Sequence, residues 1–105
     1  MYRHDWHRLE FFRVVRGRRQ LVTHQDVNDH GFYLWRKRGQ PLADVAGPYA
    51  REVATEFLVL RPHLHDSGNP RWRIVLWRLD DDRNAVIRVC EVELTLRPTP
   101  AEAPV

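Results

Sequence analysis

The chain has 105 residues, of which 43% are hydrophobic and 10% aromatic, and a net charge of +3; this suits one globular domain with a modest core and excludes a disordered chain. Cys90 is the only cysteine, which excludes an internal disulfide and a multi-cysteine zinc site. The first residues are polar and no apolar run approaches the roughly 18 residues of a membrane span, so a cytoplasmic protein without a membrane partner is expected.

In chain order, residues 8–15 (Arg-Leu-Glu-Phe-Phe-Arg-Val-Val) are rich in the aromatic and β-branched types that fit a pleated surface. A helix over 6–16, capped by Asp5 and ended by Gly17, would scatter Trp6, Leu9, Phe11, Phe12, Val14 and Val15 around its circumference, so a strand is favoured. Arg16-Gly17-Arg18 makes a turn, 20–24 a second strand, and Asn28-Asp29-His30-Gly31 another turn. Residues 32–38 read as a third strand, closed by Gly39 and Pro41.

The stretch 41–61 supports two readings. Gly47-Pro48 can open a helix with Pro48 at its first position, placing Tyr49, Val53, Phe57 and Leu60 on one face. Alternatively 53–61 is a strand, with Val53, Thr55, Phe57 and Val59 alternating against Ala54, Glu56, Leu58 and Leu60. The apolar run Leu58-Val59-Leu60, and its echo of Leu94-x-Leu96-Arg97-Pro98, tilt the second half toward strand. Residues 62–70 are a loop by every local signal.

The clearest element is an antiparallel hairpin over 71–97, with arms 71–79 and 85–97. On the second arm Cys90, Val92, Leu94 and Leu96 share a buried face, while Glu91, Glu93, Thr95 and Arg97 face water. Cys90 is therefore expected to pack, not to react. The proline-rich tail 98–105 is expected to be disordered, leaving 1–97 as one domain. The fold expected is mainly β: a small antiparallel sheet, as a barrel or sandwich of five or six strands, with at most one short helix.

Charge is uneven along this frame. Residues 1–38 hold nine Arg or Lys against four acids, giving +5 and leaving −2 for the rest. Arginine richness alone carries little weight, because Lys37 is the only lysine beside sixteen arginines, a ratio that a G+C-rich genome would produce unaided. Clustering carries more. Arg16, Arg18 and Arg19 sit on a turn, and Trp35, Arg36, Lys37 and Arg38 end the third strand; if these ends are neighbours, six cations converge beside an indole. Guanidinium forks bind phosphate and an indole face stacks on a base. A second set, Arg71, Trp72, Arg73 and Trp77, combines the residue types found most often as interface anchors.

Other constellations are weaker. From Asp80 the hairpin tip resembles an EF-hand calcium loop, with oxygen ligands at positions one, three, five and twelve (Asp80, Asp82, Asn84, Glu91). Ala85 replaces the required glycine and the flanks are strands, so the tip reads as a plain turn and no metal is assigned. His4-x-x-His7 and His63-x-His65-Asp66 have metal-ligand spacing but need both pairs to meet in space. No nucleophile elbow, phosphate loop or dinucleotide fingerprint occurs, so neither catalytic residues nor a cofactor is assigned. The function expected is a non-enzymatic binding protein for nucleic acid or an acidic protein surface. An interaction module with exposed Trp and Arg anchors, pairing as a homodimer through edge strands, is the alternative, and a small metal-dependent enzyme ranks behind both.

Overall fold

The structure is a computed structural model that describes residues 6–28, 41–65 and 68–96. Strands β1 (Trp6–Val15), β2 (Arg18–Asn28), β3 (Arg71–Leu79) and β4 (Ala85–Thr95) form one antiparallel sheet in the order β2-β1-β3-β4, and one helix, α1 (Leu42–Val59), lies between β2 and β3 in the chain. The fold is mainly β; the described residues form four strands in one open sheet, where a barrel or sandwich of five or six strands was expected. The strand expected over 32–38, the charged residues at its end and the tail 98–105 lie outside the described residues. Among the described residues no helix is long and apolar enough to cross a membrane.

Alternation along the strands writes the two faces. Leu9 and Phe11 of β1, Trp72, Ile74 and Leu76 of β3, and Val92 of β4 point to one side. Helix α1 covers that side with Ala46, Ala50, Ala54, Phe57 and Leu58, and Phe11 stacks on Phe57 at 4.5 Å between ring centroids. The alanines recur every fourth residue, so the helix lies close to the sheet, and a Cβ on Gly47 would already sit 3.6 Å from Val92 Cγ1.

The strand expected over 53–61 is thus replaced by helix. The buried stripe is written in alanine, which favours helix but adds little to an apolar pattern. The run that suggested a strand is the helix end: Leu58 is buried, whereas Val59 and Leu60 are 57% and 70% exposed. Pro48 is an interior residue of α1, not its first. It stands on the solvent side, where water can satisfy the carbonyl left by its missing N–H.

Both edge strands are bulged. The β1–β2 register shifts between Phe11 and Phe12, leaving Val22 as the extra residue; the β3–β4 register shifts between Leu76 and Trp77, leaving Val89, and again beside the tip between Arg78 and Leu79, leaving Val86. Val22 and Val89 both pack against the core. Each bulge also reverses which residues of its strand reach the face turned away from α1, which is helix-free among the described residues.

Candidate basic interface

The two hairpin turns lie at opposite ends of the sheet. At the tip of β3–β4, Asp80 Oδ1 accepts the backbone N–H groups of Asp82 (2.9 Å) and Asn84 (2.8 Å). The leading carboxylate of the calcium-like motif therefore holds an Asx turn closed, with strands on both sides. The tip is pinned to β1 by the Arg83 guanidinium, 3.8 Å over the Trp6 ring, and by Arg8, which donates to the Arg83 carbonyl (3.2 Å).

The β1–β2 turn is built differently. Arg16 and Gly17 have φ of 52° and 75°, the double left-handed geometry of a two-residue hairpin loop closed by the Val15–Arg18 pair. No atom lies within 4 Å of a Cβ built on Gly17, so glycine serves its conformation and not a close approach. An arginine at Arg16 holds a backbone that Asn or Gly would adopt with less strain. No side-chain contact of the turn explains that choice, and Arg16 is exposed.

Antiparallel pairing brings the start of β3 to this same end: Trp72 lies opposite Arg13, next to the turn. The two arginine sets that are separate in sequence thereby meet. Val14, Val15, Arg16, the loop Gly68-Asn69-Pro70, Arg71, Arg73 and Glu93 line a cleft of about 600 Å³. Its loop wall is fixed, because Asn69 donates to the Val14 carbonyl (3.0 Å) and the Pro70 carbonyl accepts from the Leu96 N–H (2.9 Å). Among the described residues Arg16, Arg18 and Arg71 have no acidic partner.

On the adjoining helix-free face three guanidiniums converge on one carboxylate. Glu91 Oε1 accepts from Arg19 and from Arg88 (2.9 Å), and Oε2 accepts from Arg73 (3.1 Å). Both bulges are needed. The β2 bulge sets Arg19 over Phe12, 5.1 Å from the ring centroid, and the β4 bulge sets Arg88 on the face of Glu91, three residues along. Strict alternation would put Arg88 with Cys90, so neither it nor Glu91 could be assigned to a site from spacing alone.

The second arginine–tryptophan set divides. Trp72, 1% exposed, packs edge-on against Phe11 with the Arg13 guanidinium 4.5 Å over its ring. It is a core residue and not an exposed anchor, because its face of β3 is the one under α1. Arg71, Arg73 and Trp77 share the helix-free face, where the half-buried Trp77 indole N–H donates to Glu10.

The remaining candidates are taken up by structure. Cys90 is half-buried on the helix side; burial raises its thiol pKa, partly opposed by Arg51 and Arg88, so the reactive thiolate is disfavoured. His7 is buried under the helix with Nε2 2.7 Å from the Tyr49 hydroxyl, whereas His65 Nε2 donates to the Leu58 carbonyl beside Leu64, which accepts from Arg13. His7 and Arg13 are six residues, about 20 Å, apart along β1, so His7 and His65 stand near different ends of that strand; His4 lies outside the described residues. Among the described residues no group of three or more His, Cys, Asp or Glu could hold a metal ion. Comparison with known proteins gives no match to this chain from any family model, curated protein or solved structure.

Proposed function

We infer that this protein binds a negatively charged partner, nucleic acid foremost, through the basic end formed by the β1–β2 turn and the start of β3. The observation that supports this reading is the meeting of Arg16 and Arg71, neither in an ion pair among the described residues, along one cleft, with Arg18 at the same end of the sheet. Guanidinium forks free of carboxylates retain their donors for phosphate oxygens. The strained arginine in the tight turn points the same way, since backbone strain concentrates where a side chain is needed.

A mobility-shift assay at low salt tests the reading. Nucleic acid should bind, and binding should weaken steeply as salt rises. Replacing Arg16, Arg18 and Arg71 together by Ala should lower affinity at least about tenfold and flatten the salt dependence, with unfolding unchanged. Absence of binding at low salt overturns the reading.

A protein partner is the second reading, favoured by Val86 and Ile87, each 54% exposed on the edge strand β4. It expects a salt-tolerant dimer on sizing that Ile87→Lys dissolves.

A further inference from the structure

We propose that the ligand is single-stranded nucleic acid lying across the helix-free face of the sheet, its phosphates held by Arg19, Arg73 and Arg88 and its bases against Phe12 and Trp77. This rests on the anionic-partner reading above and extends it from the turn onto the sheet. Arg19, Arg73 and Arg88 surround one carboxylate, so the cluster keeps an excess of two positive charges. Their side chains are 48%, 41% and 52% exposed, whereas Glu91 is 19% exposed. The carboxylate thus lies beneath and the guanidiniums lie outermost, each using one N–H on Glu91 and turning others to solvent. Glu91 gathers three like charges that would otherwise repel, which pre-organises them for an incoming anion.

Two more acids lie on this face: Glu10, which stays charged while accepting the Trp77 indole N–H, and Glu93, opposite Arg73 in register; with Arg71 counted, four arginines stand against three glutamates, so the face as a whole keeps one positive charge in excess.

The aromatic placement selects among polyanions. Phe12 is directly opposite Arg73, and Trp77 directly opposite Arg88. Each half-buried ring therefore has an arginine beside it on the next strand, and four residues of β1 separate Phe12 from Arg8, the partner of Trp77. That puts the two rings about 14 Å apart on one face. Alternating cations and rings match a backbone that carries its bases unstacked, since ring–base stacking adds to phosphate contact. A duplex hides its base faces and would leave both rings idle, and acidity alone gives a protein surface no ring to stack on them.

The experiment is fluorescence anisotropy with a labelled oligothymidylate of about 15 nucleotides and a duplex of equal length, titrated with the whole protein at about 50 mM salt and above. The single strand should bind more tightly. Arg88→Gln, remote from the turn and exposed, should weaken single-strand binding about three- to tenfold and lower its salt slope by about 0.7. Trp77→Leu should weaken it about fivefold or more with little change in slope. If Arg88→Gln leaves affinity and slope intact while Arg16/Arg18/Arg71→Ala lowers both, the sheet-face path is wrong and the basic-end reading stands. Tighter binding of the duplex also overturns the path. No binding of either ligand at low salt overturns both proposals.

Discussion

Leu9, Phe11, Ile74 and Leu76 face the helix and are fully buried, while their immediate neighbours Arg8, Glu10, Phe12, Arg73 and Trp77 turn to the other side of the same strands and keep contact with water. The covered face is closed by shape: a row of alanines lowers α1 onto the sheet, and Phe57 and Trp72 fill the space around Phe11. The open face is closed by charge. Val75 at its centre is 3% exposed with no helix of the described residues above it. Its neighbours across the strands are Glu10 and Glu91, and the paired side chains gathered on those carboxylates, Trp77 on one and three arginines on the other, shield it. Arginine stems serve there as apolar cover. A face built from long polar side chains can exchange partners without unfolding, whereas a packed core cannot. That contrast is why function is proposed for the open face and its basic end.

The contrast is sharpest for tryptophan. Trp72→Ala should cost about 3–5 kcal/mol in urea unfolding, as for a large core truncation. Trp77→Ala, five residues along β3 and on the open face, should cost no more than about half of that; equal losses would show that both faces are core. Next, Ala50→Leu should destabilise by about 1–3 kcal/mol by lifting α1 from the sheet, whereas Leu21→Ala on the open face should change little.

A smaller effect concerns pH. Hydrogen bonding from Arg8, whose Nε lies 2.6 Å from Asp26 Oδ1, holds the Asp26 carboxyl below its usual pKa. A carboxylate depressed in the folded state adds stability above its unfolded pKa, and that stability is lost as pH falls through the folded value. Asp26→Asn should therefore destabilise by about 0.5–1 kcal/mol at neutral pH, and the difference from the parent should shrink in urea titrations below about pH 4.

One stability change of similar size has the opposite sign. Arg16→Asn places the preferred residue at the left-handed turn position and should stabilise by about 0.5–1 kcal/mol while weakening nucleic-acid binding. A variant both less stable and unchanged in binding would remove the argument that strain at the turn serves the arginine.

Much of the frame was legible in the sequence. Period-two alternation and turn chemistry located the 71–79 and 85–97 arms, the strand at 8–15 and the Arg16–Gly17 turn, because those signals are local. The helix was not, since its buried stripe is alanine and its end carries the conspicuous apolar run. Of the candidate site, the turn arginines and Arg71, Arg73 and Trp77 were legible as types, and Trp72 was misplaced among them because a tryptophan's face depends on which side the helix covers.

The sequence by itself determined which residues alternate, which turns close and where cations cluster along the chain, all properties of neighbours within a few positions. Tertiary structure alone decided that β1 pairs with both β2 and β3, so that the 16–19 turn and the start of β3 share one end. It also decided that bulges at Val22 and Val89 bring Arg19 and Arg88 onto the face of Glu91. No glycine marks either bulge, and a shift of one residue changes the face of every side chain beyond it; strand pairing, a contact between residues far apart in the chain, is what fixes that shift.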